Sequence, residues 1–235
     1  MGAIYKRELK SYFVSPLGYI FMANFLAISG LIFSICTLQK QEKSSVSAYF
    51  LYLLIAFAIL LPLLTMKSLS EERKTKTEQL LMTAPISISG MIFGKYFAAL
   101  TVFAGTLAIN SLNFILLGIY GNPNVPLIAA NVLCLFFVGA LFLAIGIFFS
   151  SLTEDALISA LTSMDVIFAL FAFSFFAQGI EIKWLKTLIQ WFSVLDRYTP
   201  FMNGQLDITS IIYFVSFAGV FLFLAVRVYE RRRWA

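Results

Sequence analysis

The chain alternates long apolar segments with short polar connections, which is typical of a protein that crosses a membrane several times. Six apolar segments each come close to the ~20 residues that a spanning helix needs. They cover residues 17–38, 48–66, 93–119, 127–150, 157–178 and 208–226. We therefore predict an all-α integral membrane protein with six transmembrane helices, in which residues 1–235 form a single transmembrane domain.

The first 15 residues, before the first span, have a two-sided pattern. Apolar side chains recur at helical spacing, and Lys6, Arg7 and Lys10 fall on the opposite face. The apolar face consists of Ile4, Tyr5, Leu9, Tyr12 and Phe13. This pattern predicts an interfacial amphipathic helix at the N-terminus, which ends at Pro16.

The connection between the second and third spans, residues 67–89, is the longest polar break on its side of the membrane and reads KSLSEERKTKTEQLLMTAPISIS. Its first part is charged and its second part is a short apolar cluster. The densely charged run contains Glu71, Glu72, Arg73, Lys74, Lys76 and Glu78, and the apolar cluster is Leu80, Leu81 and Met82. We expect this connection to be where the protein meets a partner.

Local signals predict a short helix within this connection. Thr75 followed three residues later by Glu78 has the form of a capping box, so a helix can begin there. Pro85 disfavours helical geometry at the residue before it and ends the helix. Ser87 or Ser89 then caps the third span. An alternative is a solvated turn whose leucines fold back onto lipid headgroups.

The connection between the fifth and sixth spans is also long and carries aromatic residues. Apolar side chains recur at helical spacing from Trp184 to Phe192, beside Lys183 and Lys186. This predicts an interfacial or re-entrant helix that Trp184 and Trp191 anchor at the membrane surface. Its functional interpretation is an external gate over a pathway, and the alternative is a plain interface anchor.

The distribution of positive charge predicts the orientation. The side that holds the N-terminus carries twelve basic residues: Lys6, Arg7, Lys10, Lys67, Arg73, Lys74, Lys76, Lys95, Arg227, Arg231, Arg232 and Arg233. The other side carries five: Lys40, Lys43, Lys183, Lys186 and Arg197. The positive-inside rule then places both termini and the 67–89 connection in the cytoplasm.

The amino-acid composition argues against several classes of protein function. The chain is 60% apolar and 12% charged, against about 25% charged in ordinary soluble proteins. It has no histidine, the commonest general base and metal ligand. Cys36 and Cys134 have no Cys-x-x-Cys pairing. The segment GMIFGKY, residues 90–96, lacks the spacing and the final Ser or Thr of a phosphate-binding loop. We therefore expect no catalytic, metal or cofactor site in this chain, and no nucleic-acid partner.

A few polar residues fall inside the spans. Asp165 lies about 12 Å into the fifth span at 1.5 Å per residue, where a carboxylate costs ~2.5–3.5 kcal/mol and should face protein or water. It is a candidate pathway residue, or else a protonated or hydrogen-bonded carboxyl between helices. Asn110 and Asn113 are weaker pathway candidates, because intramembrane asparagines commonly join helices.

Two stretches resemble the permease subunits of ABC-2 type ABC transporters, and within them the GldF-like branch associated with gliding motility. They are KRELKSYFVSPLGYIF at residues 6–21 and SEERKTKTEQLLMTAPIS at residues 70–87, the latter followed by GKYFAAL at 94–100. A weaker similarity is Phe201-x-x-Gly204-x-x-Asp207. The resemblance implies a multi-pass protein of the bacterial inner membrane, embedded among its lipids.

The resemblance also implies partners and contact residues. Family permeases pair with an identical or homologous permease and carry two cytoplasmic ATPase subunits, which bind the ATP and Mg²⁺. The helix after the second span would be the coupling helix, here residues 75–83. The implied ATPase contacts are Glu71, Glu72, Thr77, Glu78, Leu80, Leu81 and Met82, with Glu154 and Asp155 of the fourth-to-fifth connection as a second contact. Lys76 departs from the family pattern, where a glycine that eases a bend is expected.

Three other function classes compete with a permease that exports or translocates a substrate. An enzyme embedded in the bilayer needs a paired catalytic constellation, and the chain offers no histidine, no Gly-x-Ser-x-Gly and one deep carboxylate. A secondary transporter needs intramembrane charged pairs and often internal repeats. A non-transporting membrane anchor of a gliding or secretion machine is the third alternative.

Overall fold

A computed structural model describes residues 2–38, 46–77, 87–115, 124–178 and 182–233. About 90% of these residues are helical and none lies in a strand. Six segments are long and apolar enough to cross a membrane: Pro16–Cys36, Val46–Lys74, Ile88–Ile115, Val125–Leu152, Ala156–Ala177 and Ile208–Arg232. The predicted all-α fold with six membrane helices is therefore confirmed.

We number the helices in chain order. Helix α1 is Gly2–Val14, α2 is Pro16–Phe33 with a π-helical continuation over Ser34–Leu38, α3 is Val46–Thr65, α4 is Lys67–Lys74 and α5 is Ile88–Asn110. Helix α6 is Val125–Leu152, α7 is Ala156–Gln178, α8 is Lys183–Phe192, α9 is Val194–Met202 and α10 is Ile208–Arg233. The amphipathic segments at the N-terminus and after the fifth span are thus helical, as predicted.

The core of the bundle is built around α6. This helix packs against α3, α5, α7 and α10, and 67% of its most apolar window is buried, against 28% for α2 and α10. Gly139 of α6 lies directly against the ring of Phe103 in α5, so a Cβ at this position would overlap the ring. The fourth span is therefore the central helix, whereas α2, α7 and α10 keep large faces free within this chain.

Helix starts follow the capping residues in the sequence. Ser15 has extended backbone geometry before Pro16, which ends α1 and begins α2. The Ser87 hydroxyl accepts a hydrogen bond from the Gly90 amide and caps α5, as predicted. Asn124 caps α6 in the same way through the Leu127 amide.

The second span differs from the prediction at its end. The helix was expected to stop at residue 66, but helical structure resumes at Lys67 and continues to Lys74 as α4. Leu69 and Ser70 are buried against the bundle, which explains why this charged segment remains ordered as a helix. The connection that follows the second membrane helix therefore begins at Thr75.

Candidate functional site at the basic end

The ion pairs among the described residues all lie at one end of the bundle. It consists of α1, α4, the start of α5, the connection 153–155 between α6 and α7, and the end of α10, and we call it the basic end. The turn Thr75–Thr77 leaves the bundle here. Since six spans return the chain to its starting side, both termini lie at this end.

Lys95 is the centre of a charge cluster at the basic end. Its Nζ lies 2.9 Å from Glu72 Oε1 and 3.3 Å from Glu8 Oε1. The same ammonium donates a hydrogen bond of 2.7 Å to the Ser68 carbonyl oxygen. Arg7 pairs with the same two carboxylates, at 2.6 Å to Glu8 and 3.0 Å to Glu72. Two cations and two anions thus join α1, α4 and α5.

Burial makes this cluster important for the geometry of the basic end. The Lys95 side chain is 1% exposed and is the only charged residue counted as buried among those that the structure describes. A buried charge is tolerated only when paired and hydrogen-bonded. Partial burial opposes the charged form of Arg7, but the hydrogen bonds and charges of Glu8 and Glu72 outweigh it and raise the pKa of Arg7. The ion pairs among these four groups hold the three helices together.

A second set of bonds joins α4 to the end of α6. The Ser150 hydroxyl accepts hydrogen bonds from the Leu69 and Ser70 amides, at 3.0 and 3.1 Å, and donates to the Met66 carbonyl. Arg73 donates to the Leu152 carbonyl oxygen at 2.6 Å and pairs with Glu154 at 3.0 Å. The two connections implied to contact a partner are thus bonded directly to each other.

The structure divides the implied contact residues into three groups. Glu72 and Glu154 are ion-paired within the chain, whereas Glu71 and Thr77 are exposed at the basic end. Asp155 is exposed beside Glu154. Glu78, Leu80, Leu81 and Met82 lie outside the described residues, and their contact role stays a prediction.

The predicted helix start, Thr75, lies at the end of α4, and Glu78, the other residue of the predicted capping box, lies outside the described residues. Residues 75–77 form a turn, and the Thr75 hydroxyl donates backward to the Glu71 carbonyl oxygen at 2.8 Å. Thr75 therefore ends α4 instead of starting a new helix. Lys76 has φ +57°, the left-handed conformation that glycine adopts at least cost. The sharp bend that the family pattern associates with glycine is present here with lysine.

The pathway candidates lie in different surroundings. Asp165 is exposed on α7 and makes no hydrogen bond or ion pair with the described residues. Asn110 is buried: it donates to the Tyr49 hydroxyl at 2.9 Å and accepts from Ser29 at 2.6 Å. Asn113 donates to the Asn110 side-chain oxygen at 3.1 Å. The two asparagines therefore connect α2, α3 and α5. Among the pathway candidates, Asp165 is the one whose side chain is exposed on the surface of the bundle.

The opposite end of the bundle carries the two tryptophans. Trp184 and Trp191 are 66% and 63% exposed on α8, which is suited to contact with lipid or a partner. Sequence reasoning missed α9, which follows α8 after the capping residue Ser193. Asn131 of α6 holds α9 by accepting from the Tyr198 hydroxyl and donating to the Phe201 carbonyl oxygen, each at 2.8 Å. The gate role of the tryptophans stays a prediction.

Lys95 and Glu8 are the main functional candidates that the sequence analysis missed. Lys95 entered the charge count and two quoted motifs but was given no role, and Glu8 lies among basic residues on a helix interpreted as interfacial. The sequence does contain one indication of this cluster. A lysine inside an apolar helical segment needs a partner of opposite charge if it is buried. The acidic residues nearest that end of the bundle include Glu8 and Glu72. Which carboxylates pair with it required the three-dimensional packing of α1 on α5.

Comparison with known proteins identifies the family of the chain. A family model described as "ABC-2 family transporter protein" matches residues 16–228, which include the first five candidate membrane spans and most of the sixth. No curated protein matches the chain significantly. Permeases of this family are membrane components and are not themselves catalytic. With nearly the whole length matched, the chain belongs to the ABC-2 family of transporter proteins.

Proposed function

We propose that this chain is the permease subunit through which a separate cytoplasmic ATPase drives translocation of a substrate. Membership of the ABC-2 family supports a permease component of an ABC transporter. The observation that carries the coupling proposal is the bonded basic end. There α4 is tied to α1 and α5 through Lys95, and to α6 through Ser150 and Arg73.

The bonds at the basic end support rigid-body coupling. ATP binding would draw two ATPase subunits together, and an anchor within residues 75–83 would carry that displacement into α4. Because α4 is bonded to three other elements, a push on the turn Thr75–Thr77 would move α1, α5 and α6 with it. Leu80, Leu81 and Met82 would be the apolar anchors, and the exposed Thr77 and Asp155 would add polar contacts.

Pairing with a second permease, identical or homologous, would cover the faces that this chain leaves free. Helices α2, α7 and α10 are the least buried spans, at 28%, 33% and 28% of their apolar windows. Asp165 lies on one of these faces, where lipid contact would be costly for a carboxylate. We therefore place Asp165 at the pathway or at the contact between permeases.

The orientation and the cellular setting follow from the same proposal. The excess of basic residues places the basic end in the cytoplasm, where an ATPase can reach it. The bacterial inner membrane is the expected location. The GldF-like branch, and with it a role in gliding motility, rests on the residue stretches quoted above and stays a prediction.

Co-purification tests the proposal. A tagged chain should bring down an ATPase subunit, identified by mass spectrometry, and the pair Leu80→Asp and Leu81→Asp should release it. Leu206→Asp is the matched control, because Leu206 is 64% exposed between α9 and α10, at the opposite end. Retention of the ATPase by the double variant at normal abundance would refute the coupling assignment, as would release by the control alone.

A further inference from the structure

A cavity of about 770 Å³ opens beside the basic end, between α1, α2 and the α3–α4 segment. This volume lies within the ~300–1,000 Å³ typical of small-molecule sites. The cavity has an apolar wall and a charged mouth. The wall includes Leu17, Ile20, Leu60 and Leu63, and the mouth includes Lys67 and Glu71.

The apolar wall belongs to two membrane helices. Ile20 of α2 and Leu63 of α3 line it and are 56% and 37% exposed, so the wall faces outward from the bundle. Because α2 and α3 are candidate membrane helices, apolar side chains exposed on them are accessible to lipid chains where no partner covers them. The cavity is therefore open toward the hydrocarbon region on one side and toward the membrane surface at its mouth.

Some of the charged residues at the mouth form ion pairs with one another, and two do not. Arg7, Glu8, Glu72 and Lys95 line the cavity but neutralise one another. Lys67 and Glu71 are both exposed, one helical turn apart on α4, and form no ion pair with each other or with any other described residue. Among the described residues, the mouth thus presents one cation and one carboxylate without an ion pair, and its charges sum to zero.

We propose that this cavity binds a phospholipid whose headgroup carries both a phosphate and a primary ammonium. Lys67 contacts the phosphate, Glu71 accepts hydrogen bonds from the ammonium, and an acyl chain lies along Leu17, Ile20 and Leu63. A headgroup with a single negative charge satisfies Lys67 but leaves Glu71 facing an anion. A quaternary ammonium carries no N–H to donate to Glu71. This inference does not depend on the proposed transport function.

Photocrosslinking of the full-length chain tests the proposal. The protein is placed in nanodiscs that contain phosphatidylethanolamine with a photoreactive group on its acyl chain, and labelled peptides are mapped by mass spectrometry. We expect labelling concentrated in the peptides that carry Leu17–Phe21 and Leu60–Leu64. Unlabelled phosphatidylethanolamine should compete, and phosphatidylglycerol and phosphatidylcholine should compete less well.

Variants separate this site from general lipid contact. Each variant removes one hydrogen-bonding contact to the headgroup, so Lys67→Gln and Glu71→Gln should each lower labelling about fivefold, the equivalent of about 1 kcal/mol. Lys74→Gln is the matched control, since Lys74 is exposed on the same helix but does not line the cavity. Leu63→Trp should fill the wall and reduce labelling, whereas Ile59→Trp, one turn away and outside the cavity, should not.

Three outcomes would overturn the proposal. The first is labelling spread evenly over exposed apolar peptides such as the one that contains Leu31. The second is equal competition by phosphatidylglycerol, which would mean that Glu71 recognises nothing. The third is unchanged labelling in both Lys67→Gln and Glu71→Gln, which would identify the cavity as a site of non-specific lipid contact.

Discussion

Lys95 is the residue on which the geometry of the basic end depends. Its ammonium satisfies Glu8, Glu72 and the Ser68 carbonyl oxygen while 1% exposed to solvent. A buried ammonium stabilises the fold only together with its carboxylate partners. When one member of the cluster is removed, the charges that remain are less well paired and destabilise the folded state. The cluster is therefore best tested in two steps. The charge of Lys95 is removed first, and the charges of Glu8 and Glu72 are then removed in the same protein.

We expect Lys95→Met to lower the free energy of unfolding by about 3 kcal/mol, since Glu8 and Glu72 lose their buried partner. Thermal unfolding of the purified protein in detergent measures the effect. Adding Glu8→Gln and Glu72→Gln to the Lys95→Met variant should recover part of the loss, because it removes two carboxylates that then share Arg7 as their one cation among the described residues. A Lys95→Met variant as stable as the parent, or a triple variant less stable than Lys95→Met, would contradict the cluster.

Asp207 provides a pH-dependent test at the opposite end of the bundle. Its carboxylate accepts hydrogen bonds from the Ser210 hydroxyl and from the Thr209 and Ser210 amides at the start of α10. The Ser210 hydrogen bond, followed by the amides, lowers the pKa of Asp207 below its ordinary value of 3.8. A lowered folded-state pKa means that the stabilisation is present above pH 3.8 and is lost as the pH falls through the folded-state value.

Asp207→Ala should therefore be less stable than the parent at neutral pH, by about 1 kcal/mol as for other helix N-caps. The difference should shrink as the pH falls below 3.8, because the parent then loses its cap as well. Unfolding curves for both proteins across this range measure it. A difference that stays constant down to strongly acidic pH would show that the carboxylate charge is not involved.

At the scale of helices, the close approach of α1 to α5 is set by Gly94. A Cβ at this position would lie 3.1 Å from Ile4 Cγ2, so there is little space for a side chain. The spacing brings Glu8 within reach of Lys95 in the next position of α5. The amphipathic helix is therefore held on the bundle by packing and charge together, and not by the membrane surface alone.

Gly94→Leu should displace α1 and expose its backbone. Limited trypsin digestion detects this as cleavage after Lys6, Arg7 or Lys10, which the bound helix protects. Gly105→Leu is the matched control, because Gly105 lies in the same helix with open space at its Cβ position. Equal trypsin resistance of the two variants would mean that α1 does not depend on this contact.

The sequence predicted most helices and few of the contacts between them. Hydropathy located the six spans, because the length of an apolar run is a local property. Ser87 was recognised as a cap because its partner, the Gly90 amide, is three residues away. The continuation of the second span through α4 was missed, since it depends on Ser150, some 80 residues later in the chain.

For the candidate site, too, the sequence predicted local features but not the contacts between distant segments. The turn after the second span was located from its charges and proline, but its helix was expected to begin at Thr75, which instead ends α4. Asn131 went unnoticed because its hydrogen-bond partners, Tyr198 and Phe201, belong to α9, which had not been predicted. Contacts between distant segments require the packing of helices and cannot be read from local patterns.

At the scale of the whole molecule, the surroundings of the Asp165 side chain should differ between an isolated chain and an assembled transporter. It is exposed on α7 with no partner among the described residues, so an assembled transporter should place it against protein or water. In a background with Cys36 and Cys134 replaced by alanine, Asp165→Cys should react with a water-soluble maleimide. Ile167→Cys, buried at a similar depth, should not react. An unreactive Asp165→Cys would contradict an aqueous pathway along this face.

The central claim is that an ATPase acts on the basic end of this permease. Thr77 is exposed there, and Gln205 is exposed at the opposite end between α9 and α10. The most direct measurement is photocrosslinking in cells with p-benzoylphenylalanine at one position or the other. We predict a crosslink from position 77 to a nucleotide-binding subunit and none from position 205. A crosslink to that subunit from position 205 alone, or from neither position in a complex that still co-purifies, would contradict the account.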